Sequence, residues 1–222
     1  METSLIIFDL DGTLVDTSID LTNSLNAALL PHGLELLTPQ RTKALVGEGV
    51  RNLINKILAP VGREDLFDRV LADFLSHYTE HVADLSTPYP GVIDTLNGRL
   101  SGYRKAVLTN KRTDLSVKLL EALGMIENFE LVLGPEDVPA QKPDPAGILH
   151  LIDKLGAKNQ ETVLVGDSEF DVLTGKNAGI RTVAVAYGFR PRMDLLDADV
   201  LIDRFMDLPA AVKGLDSIAR KP

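Results

Sequence analysis

Near its start the chain carries four consecutive apolar residues, Leu5-Ile6-Ile7-Phe8, which stop abruptly at Asp9-Leu10-Asp11-Gly12-Thr13. A β-branched run of this length predicts a strand buried on both faces. From 17 to about 85 the period becomes helical. Leu21, Leu25, Ala28 and Leu29 share one helix face up to Pro31-His32-Gly33. A second helix is predicted from Thr38-Pro39, with Thr as N-cap and Pro as first helical residue. It breaks at Gly47-Glu48-Gly49 and resumes through Val50, Leu53, Ile54 and Ile57. A third runs from Arg63 to Val82, with Leu66, Val70, Phe74 and Tyr78 on one side.

Past Tyr89-Pro90-Gly91 short apolar runs alternate with helical segments. After a helix ending near Gly102, strands are predicted at 105–108, 130–133, 162–165, 182–186 and 199–202. Helices are predicted at 116–123, 145–155 and 171–178, closed by Gly124, Gly156 and Gly179. Such alternation implies right-handed crossovers and a mostly parallel sheet. The expected fold is α/β: a three-layer, Rossmann-like core built from 1–15 and 86–222, with an all-helical lid inserted at 16–85. Residues 16–85 leave little room for a core of their own, so the lid should pack on the sheet domain.

Composition narrows the partners. The chain has 222 residues, 45% hydrophobic and 25% charged, with no cysteine and a net charge of −9. Disulfides, thiolate metal sites and thiol nucleophiles are excluded. The acidic balance argues against nucleic acid, and no apolar run approaches a membrane span. The amino-terminal METSLII has no basic region, so a cytoplasmic protein is expected rather than a secreted one. Oligomeric state is not legible.

Sites in parallel sheets lie beyond the carboxyl ends of the strands, where this chain places Asp9 and Asp11, Thr109 and Asn110, and Asp167. Two carboxylates ending a buried strand need a cation or hydrogen-bond donors, and Gly12 permits a tight turn. Asp167 and Asp171, four apart at a helix start, serve equally as caps or as metal-site acids. Mg²⁺, bound by carboxylates, waters and a substrate phosphate, would relieve this charge. Asp167 is expected to touch it and Asp171 to orient waters or Asp167. Thr109-Asn110 suits phosphate oxygens or a helix N-cap. Lys142, between Gln141 and Pro143, could neutralise a transferring phosphoryl group.

In this order, DLDGT, the strand-terminal Thr109, Lys142-Pro143 and GDSEFD resemble the four motifs of the haloacid dehalogenase-like hydrolases. The resemblance covers essentially the whole chain, and the helical insert looks like that superfamily's first type of cap. It implies Asp9 as the nucleophile that forms an aspartyl-phosphate, and Asp11 as general acid and then base. Thr109 and Lys142 would bind the phosphoryl group, together with Gly12, Thr13 and Asn110. Asp9, Asp167 and the Asp11 backbone carbonyl would hold Mg²⁺. Asp11 also argues for phosphate chemistry over carbon–halogen hydrolysis.

GTLVDTSIDL, VGEGVRNL, YPGV, VLTNK, KPDP and AVAYGFR are similar to stretches of the phosphoglycolate phosphatases. Arg51, in VGEGVRNL, could pair with a substrate carboxylate or be an exposed helix charge. The expected reaction is hydrolysis of a small phosphomonoester, 2-phosphoglycolate or a similar phosphorylated metabolite. Alternatives are a phosphosugar mutase and, in another class, a phosphoaccepting receiver-like signalling domain.

Overall fold

The computed structural model describes residues 2–218. Its centre is β1 (Leu5–Phe8), whose four side chains are all buried. The chain then makes a two-residue strand, β2 (Val15–Asp16), and four helices: α1 (Ser18–Leu29), α2 (Pro39–Leu45), α3 (Gly49–Leu58) and α4 (Phe67–Glu80). It returns through β3 (Thr87–Pro88), which pairs antiparallel with β2, so the helical segment leaves and re-enters through one short ribbon. Asp20 reinforces this neck by accepting hydrogen bonds from the backbone N–H groups of Leu85 and Ser86 and from the Ser86 hydroxyl.

Beyond the neck come α5 (Val92–Asn97), β4 (Arg104–Leu108), α6 (Thr113–Ala122), β5 (Leu131–Leu133), α7 (Ala146–Leu155), β6 (Thr162–Gly166), α8 (Glu169–Ala178), β7 (Arg181–Val185), β8 (Val200–Ile202) and α9 (Leu208–Ile218). The six long-range strands form one parallel sheet in the order β5-β4-β1-β6-β7-β8. Alternation along β1 divides the core. Ile6 and Phe8 join Val107, Val163 and Val183 under α6 and α9. Leu5 and Ile7 join Ala106, Leu108 and Leu164 under α7, and α8 packs on β6 and β7. The result is three layers. The first cluster continues without a break into Leu25, Ile54 and Phe74 of the insert, so those helices complete their core against the sheet side of the molecule.

Several element boundaries depart from the sequence expectation. α8 starts two residues before Asp171, because Ser168 is the N-cap and Asp171 is the N3 partner in a capping box. α6 starts at Thr113, its polar first turn lying outside the apolar period. α5 ends at Asn97, where Gly98 follows. The ribbon β2–β3 and helix α9 had no counterpart in the predicted elements. Two-residue strands are too short to show a period, but Leu208, Val212 and Leu215 of α9 do recur at helical spacing and are buried.

β1 is flanked by β4 on one side and β6 on the other. The winding direction therefore reverses at β1, leaving a crevice at the carboxyl ends of these three strands.

Candidate active site

Asp9, Thr109 with Asn110, and Asp167 directly follow β1, β4 and β6, and all four are buried. Asp9 is held in line by its backbone N–H, which donates to the Val165 carbonyl at 2.9 Å. Asp9, Asp167 and Asp171 each bring a carboxylate oxygen within 4.8 Å of the others. Among the described residues one cation serves this group. Lys142 Nζ lies 2.8 Å from Asp9 Oδ1 and 2.6 Å from Asp171 Oδ1. Burial alone would lower the Lys142 pKa, but Asp171 and Asp9 outweigh it and raise the value.

The carboxylates feel the opposite imbalance. Burial, less the attraction of Lys142, pushes Asp9 up to about 6. Burial followed by repulsion from Asp9 and Asp171 pushes Asp167 up to about 8. Asp167 nevertheless has a fixed orientation, since Thr13 Oγ1 donates to one oxygen at 3.1 Å and the Phe189 N–H to the other at 2.6 Å. It fits only because glycine occupies two neighbouring positions. A Cβ on Gly12, at φ +90°, would sit 2.3 Å from Asp167 Oδ2, and one on Gly188 would sit 2.2 Å from Asp167 Cβ.

Asn110 positions Lys142 through the backbone. Its side chain accepts from the Lys142 N–H and donates to the Lys142 carbonyl, both at 3.0 Å, and donates to the Gly47 carbonyl of the insert at 2.8 Å. Asp171 accepts from the Ser168 hydroxyl and N–H while holding Lys142. It is thus an anchor for the lysine as well as a neighbour of Asp167.

Asp11 faces a different environment. Thr17 Oγ1 donates to it at 2.7 Å, and Lys111 Nζ reaches its two oxygens at 3.1 and 3.2 Å. Lys111 Nζ also lies 2.5 Å from the Tyr78 hydroxyl of α4. Between these groups is a cavity of about 70 Å³ lined by Asp9, Asp11, Thr109, Asn110, Lys111 and Lys142, and roofed by apolar residues including Leu21, Val50 and Phe74.

Three sequence expectations change. Arg51 does not line this cavity; it is exposed on α3, with its guanidinium 4.7 Å from the Phe67 ring centroid. Gly12 and Thr13 do not offer free N–H groups to an anion, because these donate to the Val15 and Leu10 carbonyls within the turn. Their contribution is to admit and fix Asp167. Lys111, Tyr78 and Arg190 were not foreseen. Arg190 joins the loop after β7 to the insert, donating to the Lys43 and Val46 carbonyls at the end of α2 and pairing with Glu169. The adjacent stretches VLTNK and AVAYGFR contained the signal for Lys111 and Arg190, but their partners lie in the insert.

The donor set suits a hard divalent ion. Three buried carboxylates share one ammonium, the nearby ligating atoms are oxygens, and burial, which raises Asp9 and Asp167, makes their ionised forms costly without a further cation.

A family model of haloacid dehalogenase-like hydrolases matches residues 6–185, and the chain belongs to that family. Within it the likeness is to the phosphoglycolate phosphatases. The chain is 37% identical over 215 residues to the phosphoglycolate phosphatase of Chromobacterium violaceum, covering 94% of this chain and 96% of that protein. It is 38% identical to the enzyme of Agrobacterium fabrum, covering 94% and 91%. The crystal structure of a predicted phosphoglycolate phosphatase from Haemophilus somnus aligns with a TM-score of 0.89 at 30% identity, over 95% of this chain and 98% of that one. The protein is a phosphoric monoester hydrolase. Among the described residues no helix is long and apolar enough to cross a membrane.

Proposed function

We propose that the protein is a Mg²⁺-dependent phosphatase acting on a small phosphorylated acid, with 2-phosphoglycolate as the leading substrate. The observation that carries this reading is the cluster of Asp9, Asp167 and Asp171 around Lys142 at the switch point of the sheet. The names of the relatives support the choice of substrate.

In this reading the Asp9 carboxylate attacks phosphorus and forms an aspartyl-phosphate. Lys142 and the Thr109 hydroxyl hold the phosphoryl oxygens. Asp11 gives a proton to the departing alcohol oxygen, then takes one from the water that releases inorganic phosphate. Mg²⁺, held by Asp9, Asp167 and the Asp11 carbonyl, would supply neutralising charge that lets two anions approach. Residues 16–85 act as a cap whose apolar roof excludes bulk water. The partner is a small soluble metabolite in the cytoplasm.

Asp9→Asn removes the nucleophile with little change of shape. Phosphate release from p-nitrophenyl phosphate and 2-phosphoglycolate should fall to background while the folded state persists. Turnover near that of wild type would refute the assignment.

A further inference from the structure

We infer that Lys111 selects substrates bearing a second negative group beside the phosphoryl ester, accepting that group in exchange for the Asp11 carboxylate. This inference rests on the phosphatase reading above and specifies which leaving groups that site prefers.

A cavity of about 70 Å³ has room for a handful of waters, so the part of a leaving group in contact with its walls is only a few atoms long. With the phosphoryl group at Asp9, Thr109 and Lys142, those few atoms extend toward the remaining wall. That wall is largely apolar: Leu21, Val50, Leu53, Phe74 and Leu115. A carboxylate buried against it without a cation would cost several kcal/mol.

Only two lining cations remain. Arg112 is engaged by Asp114 through paired contacts of 3.0 and 2.9 Å, and its side chain is 41% exposed. The Lys111 side chain is 6% exposed and lines the cavity, its ammonium meeting Asp11 and Tyr78, which line the same space. The cation expected from sequence, Arg51, does not reach the space.

The present partners of Lys111 suggest how the exchange works. Asp11 occupies it at 3.1 and 3.2 Å, longer than the 2.8 and 2.6 Å contacts of Lys142, and Asp11 retains the Thr17 hydroxyl at 2.7 Å if the lysine turns away. The Tyr78 hydroxyl gives the ammonium a second partner at 2.5 Å, about which it can swing away from Asp11. An arriving carboxylate would thus draw Lys111 from Asp11 and leave that acid free to face the leaving oxygen. Selectivity should accordingly appear in kcat as well as in KM.

The test compares 2-phosphoglycolate with ethyl phosphate, which has the same two-carbon length and no carboxylate, in the full-length protein with Mg²⁺. The measured quantity is the ratio of kcat/KM values. Lys111→Met should lower this ratio by about 10- to 100-fold, as expected for removal of a buried charge-assisted contact, and Lys111→Arg should recover part of it. Lys111→Gln guards against misfolding of the methionine variant, because it keeps a donor for Asp11 and Tyr78 while dropping the charge; it should show a similar fall. An equal loss for both esters in these variants would overturn the inference and leave Lys111 a positioning residue for Asp11. If the wild type released phosphate from neither ester, the phosphatase reading itself would fail and this inference with it.

Discussion

Two clusters of charge flank the end of β1, and they are built on opposite principles. On the β6 side, Asp9, Asp167 and Asp171 share the single ammonium of Lys142. On the β4 side, Asp11 is matched one to one by Lys111, with hydroxyls from Thr17 and Tyr78 completing the shell. With all three acids ionised the first cluster is short of positive charge by two units, and burial makes that deficit expensive. The second is balanced as it stands. An unbalanced buried group is poised to take up a cation, a phosphoryl ester or both, whereas a balanced pair changes partners only when an incoming anion competes for it.

Removing Lys142 should break the unbalanced cluster most severely. With Lys142→Met, three buried carboxylates face one another with no cation. Activity should fall on the order of 10³-fold, the scale seen when a preorganised donor is removed from a transition state. Unfolding of the metal-free variant in urea at neutral pH should require about 3–5 kcal/mol less than wild type. A variant retaining a tenth of the wild-type rate would show that the ammonium is structural only.

Asp167 gives the next largest effect, and its direction follows from its raised value. A carboxyl titrating at about 8 when folded, against 3.8 ordinarily, binds its proton more tightly in the folded state. Its contribution to stability is therefore present below about pH 4 and is lost as pH rises toward 8. Asp9, at about 6, acts in the same sense over the lower part of that window. Metal-free wild type should thus melt at progressively lower temperature between pH 5 and pH 8, by an amount worth up to several kcal/mol. Asp167→Asn should flatten that slope and melt higher than wild type at pH 8 without metal. Added MgCl₂ should raise the wild-type Tm and leave the variant nearly unmoved. A metal-free variant less stable than wild type at pH 8 would contradict the proposed repulsion.

The unbalanced cluster was also the part legible in sequence. Asp9, Thr109 and Asp167 each end an apolar run of strand length, and neighbouring strands of one parallel sheet bring such ends together. Lys142 was conspicuous as a cation beside Pro143. Of the balanced cluster only Asp11 was legible, because Lys111 acquires its meaning from Tyr78, 33 residues away on an insert helix. Helical periodicity shows that Phe74 and Tyr78 face inward, but it does not specify what they face. The same limit concealed Arg190, whose partners are two backbone carbonyls at the end of α2. Gly12 is legible as a turn residue, yet the reason for its missing side chain is the carboxylate of Asp167, 155 positions later.

The smallest predicted effect concerns the insert cation that sequence favoured. Helical spacing on α3 turns Leu53 and Ile54 inward and leaves Arg51 and Asn52 exposed. Arg51 lies over Phe67, a contact worth about 0.5–1 kcal/mol at an exposed site. Arg51→Ala should therefore lower stability by no more than that amount. It should change kcat/KM for 2-phosphoglycolate by less than about threefold, since the side chain touches neither charge cluster. A tenfold rise in KM for 2-phosphoglycolate, with ethyl phosphate unaffected, would move carboxylate recognition from Lys111 to Arg51. It would also require α3 to rotate or slide over the cavity when substrate binds, because no rotamer change alone carries a residue from the outer face of that helix to the inner one.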